Sequence, residues 1–170
     1  MRRIVILGNA GSGKSTLARR IGERLSLPVV HLDVLFWEPG WKEPDNLAFR
    51  ERVRAAIAGD AWVCEGNYAR RTFDLRLPRA DLVIWLDTPR LVCLGRALLR
   101  TGLGRPRPDL AAGCEERLDA EFLTFLGFIW NFDGKSRVGI ETHREAQGAS
   151  VPVIHLRRRR EIEAFVRSLG

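Results

Sequence analysis

Gly8-Asn9-Ala10-Gly11-Ser12-Gly13-Lys14-Ser15 fills every fixed position of the pattern G-x-x-x-x-G-K-[ST]. Such an octapeptide carries chemistry where a strand runs into it and a helix starts from it. Its glycines let the backbone curl until successive N–H groups point at phosphate oxygens. The first turn of the helix adds the positive end of its dipole. Lys14 is then the group that reaches the β- and γ-phosphates, and the Ser15 hydroxyl is the ligand for Mg²⁺. Gly8 to Thr16 therefore form the candidate nucleotide-binding segment. A second set of groups consists of carboxylates, Asp33, Glu65 and Asp87. A carboxylate beside a phosphate loop can orient an alcohol acceptor or take its proton.

Positioning these groups requires a layered framework, and the hydrophobic pattern supplies one. Ile4-Val5-Ile6-Leu7 reads as a strand buried on both faces, and Leu17, Ile21 and Leu25 mark a helix over 14–25. Further strands are expected at 29–32, 61–65, 82–86 and 151–156. Between the second and third, a loop over 34–44 leads to a helix capped by Asp45. Thr88-Pro89 predicts an N-cap with proline at the first helical position, and that helix runs to about Arg100. A loop over 101–113 follows. A helix over 115–130 then aligns Leu118, Phe122, Phe125 and Ile129, and more helix covers part of 135–147 and 161–169. Strand and helix alternate five times. That predicts a three-layer α/β/α fold with a five-stranded parallel sheet, one domain over 1–170. Ligands bind beyond the carboxyl ends of such strands, here at Gly8, Asp33, Glu65, Asp87 and Leu156.

The composition agrees. The chain has 170 residues, 45% of them apolar and 29% charged, enough for one self-sufficient core. Lysine and arginine total 28 against 21 acids, a net of +7, and only Lys14, Lys42 and Lys135 are lysines. Arginine forks suit phosphate. Five arginines and no acid lie between Thr88 and Pro108, and Arg157 to Arg160 form a run of four. The remainder is slightly acidic, so the excess is local. No run reaches the roughly 18–20 apolar residues of a membrane span. Cys64, Cys93 and Cys114 have no metal-ligand spacing and read as free thiols of a reducing, cytoplasmic compartment. His31, His143 and His155 show no metal spacing. A GTPase base reader, Asn-Lys-x-Asp, and a transporter Leu-Ser-Gly-Gly signature are absent, which leaves ATP as the expected donor.

Over nearly its whole length the chain resembles the adenylate kinase-like nucleoside and nucleotide kinases of the P-loop NTPase fold. It also resembles a small bacterial family known as DNA topology modulation proteins. The residues that carry this are the phosphate loop, His31-Leu32-Asp33, Trp37-Glu38-Pro39-Gly40-Trp41 and Glu65-Gly66-Asn67-Tyr68. Asp74-Leu75-Arg76-Leu77, Arg105-Pro106-Arg107-Pro108-Asp109 and Trp130-Asn131-Phe132 add to it. The resemblance implies that Asp33 holds or deprotonates the acceptor and that Glu65 holds Mg²⁺ through water, with Asp87 as competitor. It implies that Arg96 and Arg100 reach the transferring phosphoryl group, with Arg105 and Arg107 on a lid over about 101–115. Arg157 would then face the adenine. Trp37, Trp41 and Tyr68 could stack on an acceptor or form the core of a lid. Asn67 and Arg70 could read the acceptor.

Two readings follow. The first is a Mg²⁺-dependent enzyme that moves the ATP γ-phosphoryl group to a nucleoside, nucleotide or similar metabolite. The second is a nucleotide-gated protein whose basic surface engages nucleic acid. The oligomeric state has no sequence signature.

Overall fold

Ile4, Val5, Ile6 and Leu7 have no accessible surface, as expected of a strand covered on both faces. A computed structural model describes residues 1–104 and 108–169 and places this strand in the middle of a parallel sheet. The strands are β1 (Arg3–Gly8), β2 (Val29–His31), β3 (Trp62–Glu65), β4 (Leu82–Leu86) and β5 (Val153–Leu156). Their order is β2-β3-β1-β4-β5, with Ile6 opposite Glu65 and Gly8 opposite Leu86. The helices are α1 (Lys14–Leu25), α2 (Leu32–Phe36), α3 (Asn46–Ala56), α4 (Ala69–Arg76), α5 (Arg90–Gly102), α6 (Ala120–Phe132), α7 (Val138–Gly148) and α8 (Arg159–Arg167).

Alternating strand residues build two cores. Ile4, Ile6, Val63, Ile84 and Leu86 pack with Leu17 and Ile21 of α1 and Val166 of α8. Val5, Leu7, Cys64, Val83 and Trp85 pack with Phe49, Phe73, Phe132 and Ile140 on the opposite face. The chain therefore leaves β1 across one face and β3 across the other. Such divergence opens a crevice between two strand ends, and ligands of open α/β sheets occupy it.

Several boundaries differ from the sequence reading. β2 stops at His31, and α2 takes in Leu32 of the expected strand, Asp33 at its end and residues 34–36 of the expected loop. Asp45 caps α3 as expected, its Oδ2 accepting from Leu47 and Ala48 N–H. Thr88 does not cap α5. Pro89 takes the N-cap place, and the Thr88 hydroxyl donates to the Ser12 carbonyl instead. The helix expected from 115 starts at Ala120, because Asp119 caps it through Phe122 N–H. Leu118 is thus left off the stripe and is exposed. From 120 to 148 the backbone stays helical through a π-turn at 133–137.

A buried arginine shapes the turn after β3. Arg76 has no accessible surface. Its guanidinium donates to the Gly66 and Asn67 carbonyls at 3.0 and 2.6 Å and to Thr72 Oγ1 at 3.1 Å. Burial pulls its pKa below the ordinary arginine value, yet the carbonyls need its donors just as much. At the other end of the sheet, Asp81 accepts from the Arg2 and Arg3 N–H groups and from the Arg3 guanidinium. These bonds, the backbone N–H of Arg2 foremost, hold its carboxyl down at about 2.

Arg76→Ala strands two buried carbonyls and leaves a void; a loss of about 3 kcal/mol in urea unfolding is expected. Asp81 has a folded pKa below its unfolded one. Its contribution is present above about pH 4 and fades as the pH falls toward 2. The urea midpoints of wild type and Asp81→Asn should differ at pH 7 and converge near pH 2.

Candidate active site

The phosphate loop follows β1 directly and opens α1. Gly13 occupies the N-cap at φ 102°, a region that side chains with a Cβ rarely enter. Gly11 passes so near α5 that a Cβ there would sit 2.5 Å from the Cys93 carbonyl oxygen. The loop's own backbone is held from several directions. Lys14 Nζ donates to Asn9 O at 2.9 Å. Thr88 Oγ1 and Arg96 Nη1 donate to Ser12 O at 3.0 and 2.9 Å. Asn9 Nδ2 donates to Ile129 O on α6 at 2.9 Å. Asn67 brackets Gly8: its Oδ1 accepts from Gly8 N at 3.1 Å and its Nδ2 donates to Gly8 O at 3.0 Å.

Glu65 ends β3 beside Ile6, 3% exposed. Its Oε1 accepts from Ser15 Oγ at 3.1 Å and from His31 Nδ1 at 2.8 Å. Two hard oxygens, a hydroxyl and a carboxylate, thus meet where the loop enters α1. That donor set fits Mg²⁺, which keeps several waters and takes few protein oxygens. Among the described residues no cluster of three or more His, Cys, Asp or Glu could hold a metal by itself. Asp87, the competing acid, is turned away: it accepts from Arg137 at 2.6 Å and pairs with His155 at 2.7 Å.

Asp33 stands in the first turn of α2 rather than at a strand end. Tyr68 donates its hydroxyl to Asp33 Oδ1 at 2.7 Å. Burial, then the Asp33 charge, pushes the phenol pKa up, so the hydroxyl stays a donor. Tyr68 itself has a left-handed backbone, φ 35°, and is packed on Phe36 and Phe49. Trp37 and Trp41 meet edge to face, 5.3 Å between centroids.

A cleft of about 910 Å³ joins these groups. Lys14, Ser15, Asp33, Glu65, Asn67 and Tyr68 line it, as do Trp37, Trp41, Arg96 and Arg100. Residues 113–115 roof its far side. Gly40 N donates to Gly113 O, Trp41 Nε1 to Glu115 O and Cys114 Sγ to Glu38 O. Arg100 is held in a two-point pair by Glu116, at 2.9 and 2.7 Å. Arg70 is exposed and does not line the cleft, because α4 turns it outward. Arg157 lines a separate pocket of about 280 Å³ with Asn9, Asp87 and Arg137. Arg105 and Arg107 lie outside the described residues.

Sequence reasoning missed three contributors. His31 was given no chemistry, yet it shares an oxygen of Glu65 with Ser15. Its register opposite Glu65 across β2 and β3 is the signal. Arg76 was part of a resemblance only; the Thr72–Arg76 spacing of four was the trace it left. The Thr88 hydroxyl was read as a cap and instead supports the loop. All three cysteines are buried and unpaired as expected. Burial raises the Cys64 and Cys93 thiols, which keeps them protonated.

No protein-family model matches the chain. It is 33% identical to adenylate kinase 2 from Nostoc sp. over 136 residues, 63% of this chain and 71% of that protein. It is 34% identical to shikimate kinase from Corynebacterium efficiens over 121 residues, 64% and 69% of the two chains. Among solved structures, shikimate kinase from Bacteroides thetaiotaomicron superposes with a TM-score of 0.56 at 19% identity, covering 99% and 96% of the two chains. That match supports the three-layer fold. No helix among the described residues is long and apolar enough to cross a membrane. Phosphate loop, parallel sheet and relatives agree, and the chain belongs to the small P-loop kinases, the group that includes adenylate and shikimate kinases.

Proposed function

We propose that this kinase transfers the γ-phosphoryl group of ATP to a hydroxyl of a small acceptor held between Asp33 and the aromatic wall. One observation carries the reading. A complete phosphate loop and a Tyr68-anchored carboxylate share one roofed cleft. Within the small kinases, the Trp37–Trp41 and Gly66–Tyr68 blocks favour the topology modulation family as the finer assignment.

Backbone N–H groups of residues 10–15 would bind the β- and γ-phosphates, and Lys14 would exchange its bond to Asn9 for phosphate oxygens. Mg²⁺, when bound, would neutralise charge on the β- and γ-oxygens; Ser15 would hold it directly and Glu65 through water. His31, donating to Glu65, keeps that carboxylate oriented. Arg96 already lies on the phosphate loop and would meet the charge that grows on the transferring group. Arg100 would have to leave Glu116 to do the same. Asp33 would accept the acceptor's proton as its oxygen attacks phosphorus, with Tyr68 fixing the carboxylate. The roof over 113–115 would keep water from competing as nucleophile.

Lys14→Ala should abolish ATP binding in calorimetry; unchanged affinity would remove the phosphate loop from the mechanism. Asp33→Asn should lower kcat about 100-fold or more and leave ATP affinity within about twofold. Full turnover in that variant would take the proton-accepting role from Asp33.

A further inference from the structure

We propose that the outer face of α5 and α6 docks a second copy of this chain and closes a twofold dimer. The proposal is independent of the kinase reading above.

α6 is apolar around its whole circumference. Its thirteen residues include only three polar ones, Glu121, Thr124 and Asn131. A helix of that kind belongs where it is covered on every side. The chain itself covers part of it. Phe122 and Ile129 pack with Cys93 and Ala97 of α5, and Phe125 and Phe128 line the active-site cleft. The remaining side is open: Leu123 is 68% exposed and Trp130 46%. α5 repeats the situation, with Leu91 68% and Leu98 47% exposed. None of these four lines the cleft.

The two open sides form one surface. α5 and α6 run antiparallel: Arg90 lies over Trp130 at one end, and Arg100 pairs with Glu116, just before α6, at the other. Leu94 and Leu126, half-buried against the α5–α6 contact, bridge the seam. Both helices carry the same spacing, Leu91-x₃-Gly95-x₂-Leu98 and Leu123-x₃-Gly127-x₂-Trp130. Residues so spaced share one helix face. A Cβ on Gly95 or on Gly127 would meet nothing within 4 Å. Each glycine is therefore a notch between two apolar knobs, and the pattern reads nearly the same in both directions. A twofold axis across the helices lays each stripe antiparallel on its own copy, with the glycines at the crossing. An isologous interface requires such self-complementarity, whereas a lipid surface has no use for notches.

The area agrees. Two 13-residue helices side by side make a face about 20 Å long and about 20 Å wide. Two such faces bury on the order of 1,000 Å² in total, the lower end of specific association, which predicts a reversible dimer with micromolar dissociation.

Sedimentation velocity of the full chain from about 1 to about 200 µM brackets that range. Wild type should pass from monomer to dimer across it. Leu91→Glu and Leu123→Glu put a charge on the face at exposed sites, and each should raise the dissociation constant tenfold or more. Gly127→Leu fills a notch and should weaken the dimer as much. The thermal transition of that variant, measured dilute, should not fall, because leucine favours a helix over glycine. Leu47→Glu, at a similarly exposed leucine on α3, should leave the dimer unchanged. A wild-type monomer at every concentration would overturn the proposal. So would a dimer indifferent to the Leu91 and Leu123 variants, or one weakened equally by Leu47→Glu. A monomer that binds phosphatidylserine vesicles, and loses them in Leu123→Glu, would assign the face to lipid instead.

Discussion

Two hydrogen bonds between the Asn67 amide and the backbone of Gly8 join the strand that delivers the phosphate loop to the turn that delivers the aromatic wall of the cleft. β1 and β3 are neighbours in the sheet, but their chains depart to opposite faces. The Asn67 bonds extend the β1–β3 pairing beyond Ile6 and Glu65 and, with the Ser15–Glu65 bond, fix the two halves of the cleft relative to each other. The position of Asn67 is in turn set by Arg76, which grips the Asn67 and Gly66 carbonyls from below. The far end of β1 is fixed by Asp81. A single rigid path therefore runs from the sheet through Arg76 and Asn67 to the first residue of the phosphate loop.

The aromatic wall stores strain on this path. Tyr68 and Trp41 both have left-handed backbones, at φ 35° and 59°, a conformation worth roughly 1–3 kcal/mol each for such residues. Packing holds them there. Tyr68 is wedged between Phe36 and Phe49, and Trp41 lies against Trp37 with its N–H on the roof. Their conformations aim the Tyr68 hydroxyl at Asp33 and bring the Trp41 loop to residues 113–115. Strain located at a cleft in this way is a means of preorganisation.

Much of the frame was legible in the sequence because it follows from periodic burial. Ile4-Val5-Ile6-Leu7 next to a complete phosphate-loop pattern needed no tertiary information. α4 was illegible for a physical reason: its buried face is Thr72, Phe73 and Arg76, so a charged residue sits where a hydrophobic pattern is sought. α2 has five residues, too few to show a period. The roof is held by bonds that all end on backbone carbonyls, of Gly113, Glu115 and Glu38, and backbone acceptors leave no mark on composition. The +7 charge also reads differently. Arg90 lies over Trp130, Arg96 on the loop and Arg100 on Glu116. Glu161 accepts from the backbone of Arg157 and Arg158. Arg90, Arg96 and Arg100 thus have partners within the fold, whereas the side chains of Arg157 to Arg160 are exposed.

If Asn67 sets the geometry of the phosphate loop, its removal must weaken nucleotide binding although the side chain is spent on Gly8. Loss of two hydrogen bonds of about 1 kcal/mol each, if both order the loop for the nucleotide, predicts ATP affinity up to about thirtyfold lower in Asn67→Ala. Calorimetric titration of ATP into that variant, with folding verified by its thermal transition, measures this directly. A folded Asn67→Ala protein that binds ATP within twofold of wild type would contradict the account.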